Sequence, residues 1–318
     1  MKSIISFLIA VGMSFPLWAE EQAQLSLNAL SHSIKTLNFS TSFVVVKNNE
    51  AEPYHWFHGV TDEGKELEIL SLLNGPRRDI LRKDGIVSYI EPDLPPYSII
   101  SNDIKGPIPS VFSQDFTVLD KSYDFISVGR SRVLGRTAQL IRIVSKDVHR
   151  YGHWVWLDQQ TGLLLKLAIA TRTGQLLEQV QFTHLDISEK PGESILQLAE
   201  TELPKALEVP DDYQAPTLSW QVKWLPQGFE SISTNRHRIT LTKQPVEFMM
   251  FSDGLVDISV YVSPSNVRQR AVEFLMDGAT VALNQVNNGF EVSVVGKIPS
   301  KTAKAIADSV AFISKKSP

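Results

Sequence analysis

The sequence predicts an α+β protein: a large antiparallel sheet packed on helices, followed by a smaller α+β domain. Three observations predict it. Short β-branched or aromatic runs recur between residues 41 and 182, each closed by a Gly, Asn or Asp turn. An apolar stripe at helical spacing precedes them, and another closes the chain. A proline-punctuated stretch separates the last hundred residues from the rest.

The chain opens with Lys2 and an apolar run from Ile4 to Met13, and its first acids are Glu20 and Glu21. That layout is a cleavable export signal, with cleavage expected after Ala19. The run is shorter than the roughly 20 apolar residues that span a bilayer. Leu17 departs from the small residue that a signal peptidase prefers. From Ala23 to Leu37, the residues Leu25, Leu27, Leu30, Ile34 and Leu37 recur at helical spacing. Strands are expected at Thr41–Val46, Tyr54–Val60, Glu66–Leu73, Asp79–Arg82 and Ile86–Ile90, with turns at Asn48-Asn49, Gly64, Asn74-Gly75-Pro76 and Asp84-Gly85. The meander resumes at Ser127 and turns near Leu134-Gly135. Strands then follow at Ala138–Val144, Tyr151–Leu157, Leu163–Ala170 and Leu176–Phe182. Residues 193–203 read as a short helix and 204–218 as the linker. The expected division is therefore a leader (1–19), a large domain (20–203), the linker and a small domain (219–318). Within the small domain, strands are expected at 222–224, 247–251, 256–262, 280–283 and 290–295. A helix is expected at 300–313, with the stripe Ala303, Ile306, Ala307, Val310 and Ala311 behind Pro299.

Composition excludes several functions. There is no cysteine, which removes disulfides, zinc–thiolate sites, thiol catalysis and a lipid anchor at the cleavage point. Without the leader the chain carries 30 Lys+Arg against 35 Asp+Glu, a net charge of −5. That balance gives no footprint for nucleic acid. The charge is uneven: residues 20–218 carry −8 and residues 219–318 carry +3. No His-Glu-x-x-His, Gly-x-Ser-x-Gly, dinucleotide fingerprint or phosphate loop occurs. His55 and His58 stand three apart on a strand and so face opposite ways. Neither a metal, a cofactor nor a catalytic residue is expected.

Three pairs of residues stand out as candidate binding groups. Arg77 and Arg78 place two guanidinium forks beside a tight turn, suited to an anionic headgroup or an acidic peptide, or simply to solvent. Trp154 and Trp156 share one face of a strand, while His153, Val155 and Leu157 share the other. That indole face suits an acyl chain or a partner, or the core of the sheet. Trp224 and Phe229 crowd apolar rings around Pro226 and Gly228, either as an exposed anchor or as a packed corner.

Beyond these, ordered runs carry a likeness. They are Asn74-Gly75-Pro76-Arg77-Arg78, Val87-Ser88-Tyr89-Ile90-Glu91-Pro92, Tyr123-Asp124-Phe125-Ile126-Ser127-Val128-Gly129-Arg130, Trp224-Leu225-Pro226-Gln227-Gly228-Phe229, Phe251-Ser252-Asp253-Gly254-Leu255 and Val295-Gly296-Lys297-Ile298-Pro299. In this order the chain resembles the RseB/MucB family. The resemblance implies a periplasmic negative regulator of the sigma-E envelope-stress response. Such a protein binds the periplasmic domain of an RseA- or MucA-type anti-sigma factor and shields it from the site-one protease. It also implies a half-barrel like that of LolA and LolB in the large domain, responsive to lipid, lipoprotein acyl chains or lipopolysaccharide. The small domain is then expected to grip the anti-sigma factor. A homo-oligomer is compatible with the likeness. The alternatives are a lipid or lipoprotein carrier, against which the extra C-terminal domain argues, and an envelope hydrolase built from dispersed acids.

Overall fold

The computed structural model describes residues 15–206, 215–238, 245–267 and 269–313. The apolar run of the expected leader and residues 207–214 of the expected linker lie outside the described residues. The first helix, α1 (Phe15–Thr36), begins before the expected Ala23 and runs through Ala19. Its stripe works as the spacing predicts: Ala23, Leu27, Leu30 and Ile34 are buried, while Leu25 points to solvent.

The first sheet has eleven antiparallel strands. They are β1 (Asn38–Lys47), β2 (Glu50–Val60), β3 (Glu66–Leu72), β4 (Arg78–Lys83), β5 (Ile86–Ile90), β6 (Tyr97–Ile100), β7 (Tyr123–Val133), β8 (Arg136–Ser145), β9 (Gly152–Asp158), β10 (Leu164–Ala170) and β11 (Leu176–Ser188). Their spatial order is β6-β5-β4-β3-β2-β1-β11-β10-β9-β8-β7. Two meanders therefore join through the β1–β11 pair, and β6 and β7 are the edge strands, with Ser98 of β6 bridged to Ala206. Asn48-Asn49 and Asp84-Gly85 take positive φ between paired strand ends, the two-residue turn that matches strand twist.

The sheet curls around α1, which touches β2 well inside it and β7 at one edge. Two short 3-10 turns (Ser110–Ser113 and Phe116–Leu119) lie against the same helix and bury Phe112, Phe116 and Leu119. A second helix, α2 (Glu193–Glu200), packs on the opposite, outer face over β2, β3 and β4. Ile195 and Leu198 meet Leu67, Phe57, Ile69 and Leu81 there. Gly59 is required beneath it, since a Cβ at that position would stand 2.8 Å from Ile195.

The second sheet has six antiparallel strands: β13 (Glu230–Arg238), β14 (Pro245–Ser252), β15 (Asp257–Pro264), β16 (Gln269–Asp277), β17 (Thr280–Asn287) and β18 (Phe290–Gly296), ordered β13-β14-β15-β18-β17-β16. A third helix, α3 (Ser300–Asp308), packs on β17 and β18. Here the structure corrects the sequence reading. The helix stops at Asp308, and Val310 and Ala311 belong to a strand, β19 (Val310–Phe312). That strand pairs with β12 (Trp220–Val222), so Trp224 lies outside the strand expected at 222–224. Val-Ala-Phe suits a pleated strand better than a helix end, and Phe312 gains a stacked partner in Phe290 at 4.2 Å. Strands β6, β13 and β16 are also additional to those expected.

Candidate functional site

The curl of the first sheet leaves apolar space on its inner side. Ile34 of α1, Phe43, Trp56 and Leu70 of the sheet, and Ile104, Ile108 and Phe112 of the following loop line a small cavity of about 50 Å³, partly open to solvent. Its polar wall is tied down. Trp56 Nε1 donates to Glu68 at 3.0 Å, and Arg82 Nε donates to the other Glu68 oxygen at 2.9 Å. Arg82 also pairs with Glu66, which His58 reaches at 3.2 Å. Burial pushes the Glu66 carboxyl up, but the His58 hydrogen bond and the Arg82 charge outweigh it and hold it below the usual range. His58, Glu66 and Glu68 bring three possible ligand atoms within 4.8 Å of one another. The Arg82 guanidinium already occupies the position that a cation would take among them.

The cavity opens into a larger groove of about 670 Å³ between the two sheets, sharing Leu70, Ile104 and Ile108 with it. On one side stand Tyr54, Leu72, Arg78 and Tyr89; on the other, Leu255, Val256, Val295 and Lys297. Two groups of polar contacts hold the sheets across this groove. At one end, Arg150 is 1% exposed and donates through Nε to Asp253 at 2.6 Å; it also pairs with Asp147 and donates to the Gln227 carbonyl. Tyr123 donates its hydroxyl to the same Asp253 oxygen at 2.8 Å. Burial and the Asp253 charge push that phenol well above its ordinary range, so it remains a donor. Gly228 sits here with φ +90°, and any Cβ on it would collide with Ser122 Oγ. At the other end, Lys297 meets Glu178 at 2.6 Å, and Lys47 meets Asp277 at 2.7 Å. Between the two ends, Tyr151 and Ile169 pack on Ala279.

The six residues singled out from sequence do not converge. Arg77 is exposed and bonds Asp79 at 2.5 Å, while Arg78 stands on the groove lining. Trp154 and Trp156 lie on the outer face of the sheet, away from the cavity, with ring centroids 6.5 Å apart. Trp224 and Phe229 are at the junction of the two sheets. Trp224 meets His149 edge-on at 5.0 Å, and Phe229 lies under the Arg150 guanidinium at 4.8 Å, 8% exposed. Sequence reasoning missed Arg150, Glu178 and Lys297 as junction residues. The signal was available for Tyr123, Gln227, Asp253 and Lys297, which fall inside four of the signature runs.

Known proteins share this arrangement. Residues 22–207 match the family model of the MucB/RseB N-terminal domain, and residues 214–311 match that of the MucB/RseB C-terminal domain. The chain belongs to the MucB/RseB family. It is 34% identical over 287 residues to the sigma-E factor regulatory protein RseB of Salmonella typhimurium, covering 90% of this chain and 89% of that one. It is 31% identical over 312 residues to the sigma factor AlgU regulatory protein MucB of Pseudomonas aeruginosa, covering 96% of each. Among solved structures it is similar to MucB in the Pseudomonas aeruginosa MucA/MucB complex, with a TM-score of 0.74 at 29% identity over 92% of this chain and all of that one. Against the crystal structure of MucB the TM-score is 0.62 at the same identity, covering 92% and 98%. Family members are thus regulators of sigma factors, and MucB is seen bound to MucA.

Proposed function

We propose that this chain is an exported periplasmic regulator that captures the periplasmic segment of an RseA- or MucA-type anti-sigma factor and shields it from the site-one protease. It releases that segment when lipid or a mislocalised lipoprotein acyl chain enters the large domain. Catalysis has no part in this reading. In it, the leader is removed after Ala19, and residues 20–203 and 219–318 act as two domains hinged at 204–218. The observation that carries it is the continuity of the inner cavity with the groove between the sheets. A hydrocarbon in the cavity gains roughly 0.8 kcal/mol per buried CH₂. Because the same loop lines both spaces, an occupant that favours one domain arrangement shifts the population of the other. The higher TM-score against the MucA-bound form supports reading this arrangement as the partner-gripping one.

The test is a cleavage assay with the purified chain, an anti-sigma periplasmic segment and its site-one protease. Saturating protein is expected to slow cleavage, and an acyl-chain ligand to restore it. Reversing Arg77 and Arg78 to glutamate is expected to weaken capture of an acidic partner about tenfold, the worth of 1.4 kcal/mol. Cleavage that proceeds unchanged at saturation defeats the proposal. Lipid transfer between membranes without segment capture would point to the carrier instead.

A further inference from the structure

The outer face of the first sheet is covered unevenly. Over β2, β3 and β4 it is sealed by α2. Over β7 to β10 no helix of the described residues lies on it, and Ile126 and Val128 are 41% and 49% exposed. The pairing register lays out what this face presents. One row runs Ile126, Arg142, Trp154 and Ala168; the next runs Leu140, Trp156 and Lys166. Arg142 sits over the Trp154 ring at 4.5 Å, and Lys166 sits over Trp156 at 4.8 Å. Neither cation has a carboxylate within ion-pairing distance among the described residues, whereas Asp124 on β7 is already paired with Lys146. Arg130 and Arg132 of β7, by contrast, pair with Gln139 and Thr137 and so belong to the opposite face, which leaves Arg142 and Lys166 as the cations of this one. This cationic strip belongs to the part of the chain whose overall charge is negative.

We propose that this outer face, from β7 to β10, docks the protein on an anionic membrane surface. The chemistry is that of an interface. Indoles settle where one side is apolar and the other wet, and unpaired Arg and Lys are drawn to anionic headgroups. The cations lie on the rings, so phosphates meet Arg142 and Lys166 first. Trp154 and Trp156 follow, with Ile126 and Val128 as the aliphatic contacts. The cavity and the groove lie elsewhere on the molecule, so the face offers a broad surface for a bilayer rather than a slot for a peptide. The proposal goes beyond capture of the anti-sigma factor and requires neither that partner nor the cavity.

The test is co-sedimentation of the full mature chain with vesicles of phosphatidylglycerol and phosphatidylethanolamine, beside vesicles of phosphatidylcholine alone. Binding is expected to the anionic vesicles only, and to weaken as salt rises. The double variant Arg142→Gln, Lys166→Gln is expected to lower partitioning roughly fivefold for each cation removed. Uptake of monomeric short-chain phosphatidylglycerol is expected to stay unchanged in that variant, since the cavity is untouched. If the double variant folds poorly, Ile126→Glu at its exposed position serves the same arm. No binding to anionic vesicles at low salt overturns the proposal, and so does an unchanged partition coefficient. Parallel loss of vesicle binding and monomer uptake also overturns it, because it assigns the lipid to an interior site.

Discussion

Asp253 is the most heavily used side chain at the junction. One oxygen accepts from the backbone of Leu255 at 3.0 Å and Val256 at 2.8 Å, fixing its own turn. The other accepts from Tyr123 of β7 and Arg150 of the β8–β9 loop. The residue therefore shapes a loop of one domain and grips the other with the same carboxylate. Removing one partner from a buried charge pair leaves the other uncompensated, at a cost of about 3–5 kcal/mol. Asp253→Ala is expected to cost that much in denaturant unfolding and to split a single transition into two, as each sheet melts by itself. A shift below 1 kcal/mol with one sharp transition would show that the rest of the junction suffices. The sequence placed Tyr123 and Asp253 in its signature runs but could not pair them. They stand 130 positions apart, and nothing in strand periodicity says which loop meets which sheet.

At the scale of elements, legibility followed the local signal. The strands between 41 and 90 and between 138 and 182 were readable because β-branched runs ended at turn residues with a required backbone shape, such as Asn48-Asn49. Strands β13 and β16 were not, since Ser-Ile-Ser-Thr-Asn-Arg and Gln-Arg-Ala-Val-Glu lack a dominant apolar period, and pairing with neighbours makes them strands. The tryptophan pair was placed correctly on a shared face, but a strand pattern alone cannot tell the inner face of a curled sheet from the outer. The short helix α2 was legible, whereas its position was not. It is held to the outer face by Ile195 and Leu198, and Lys83 donates to the Ala199 and Thr201 carbonyls at its C-terminal end. Ile195→Ala is expected to cost about 2 kcal/mol, the low end of buried Ile truncations because the cluster is small. Hydrogen exchange should rise first in α2 and the strands beneath it. Uniform acceleration across the chain would show instead that α2 is part of one cooperative unit.

At the scale of the whole molecule, the two sheets meet over His153, which is 2% exposed and whose Nδ1 has no hydrogen-bond partner among the described residues. Burial, and next the Lys297 charge, pull its pKa down to about 3. Glu178 faces the same groove but is engaged by Lys297. The joined form therefore holds the neutral ring, and a form that hydrates His153 returns it to about 6.5. Stability from this group is full above that value and is lost as pH falls from 6.5 toward 3. Each pH unit in the window is worth about 1.4 kcal/mol. Between pH 7 and 5 the loss should be about 2 kcal/mol. His55, lowered by burial and then by His184, adds a smaller change of the same sign. The carboxylates held low, Glu66, Asp147, Asp158 and Glu247, keep their contribution until the pH falls through the ordinary carboxylate range and below. Denaturant midpoints at pH 7 and 5 should thus fall in the native protein and hold nearly level in His153→Leu. Small-angle scattering then tells whether the linkage belongs to the junction. A radius that grows at pH 5 in the native chain but not in His153→Leu places the proton's effect on domain separation. An equal drop in both proteins would remove His153 from the account and leave the junction insensitive to acid.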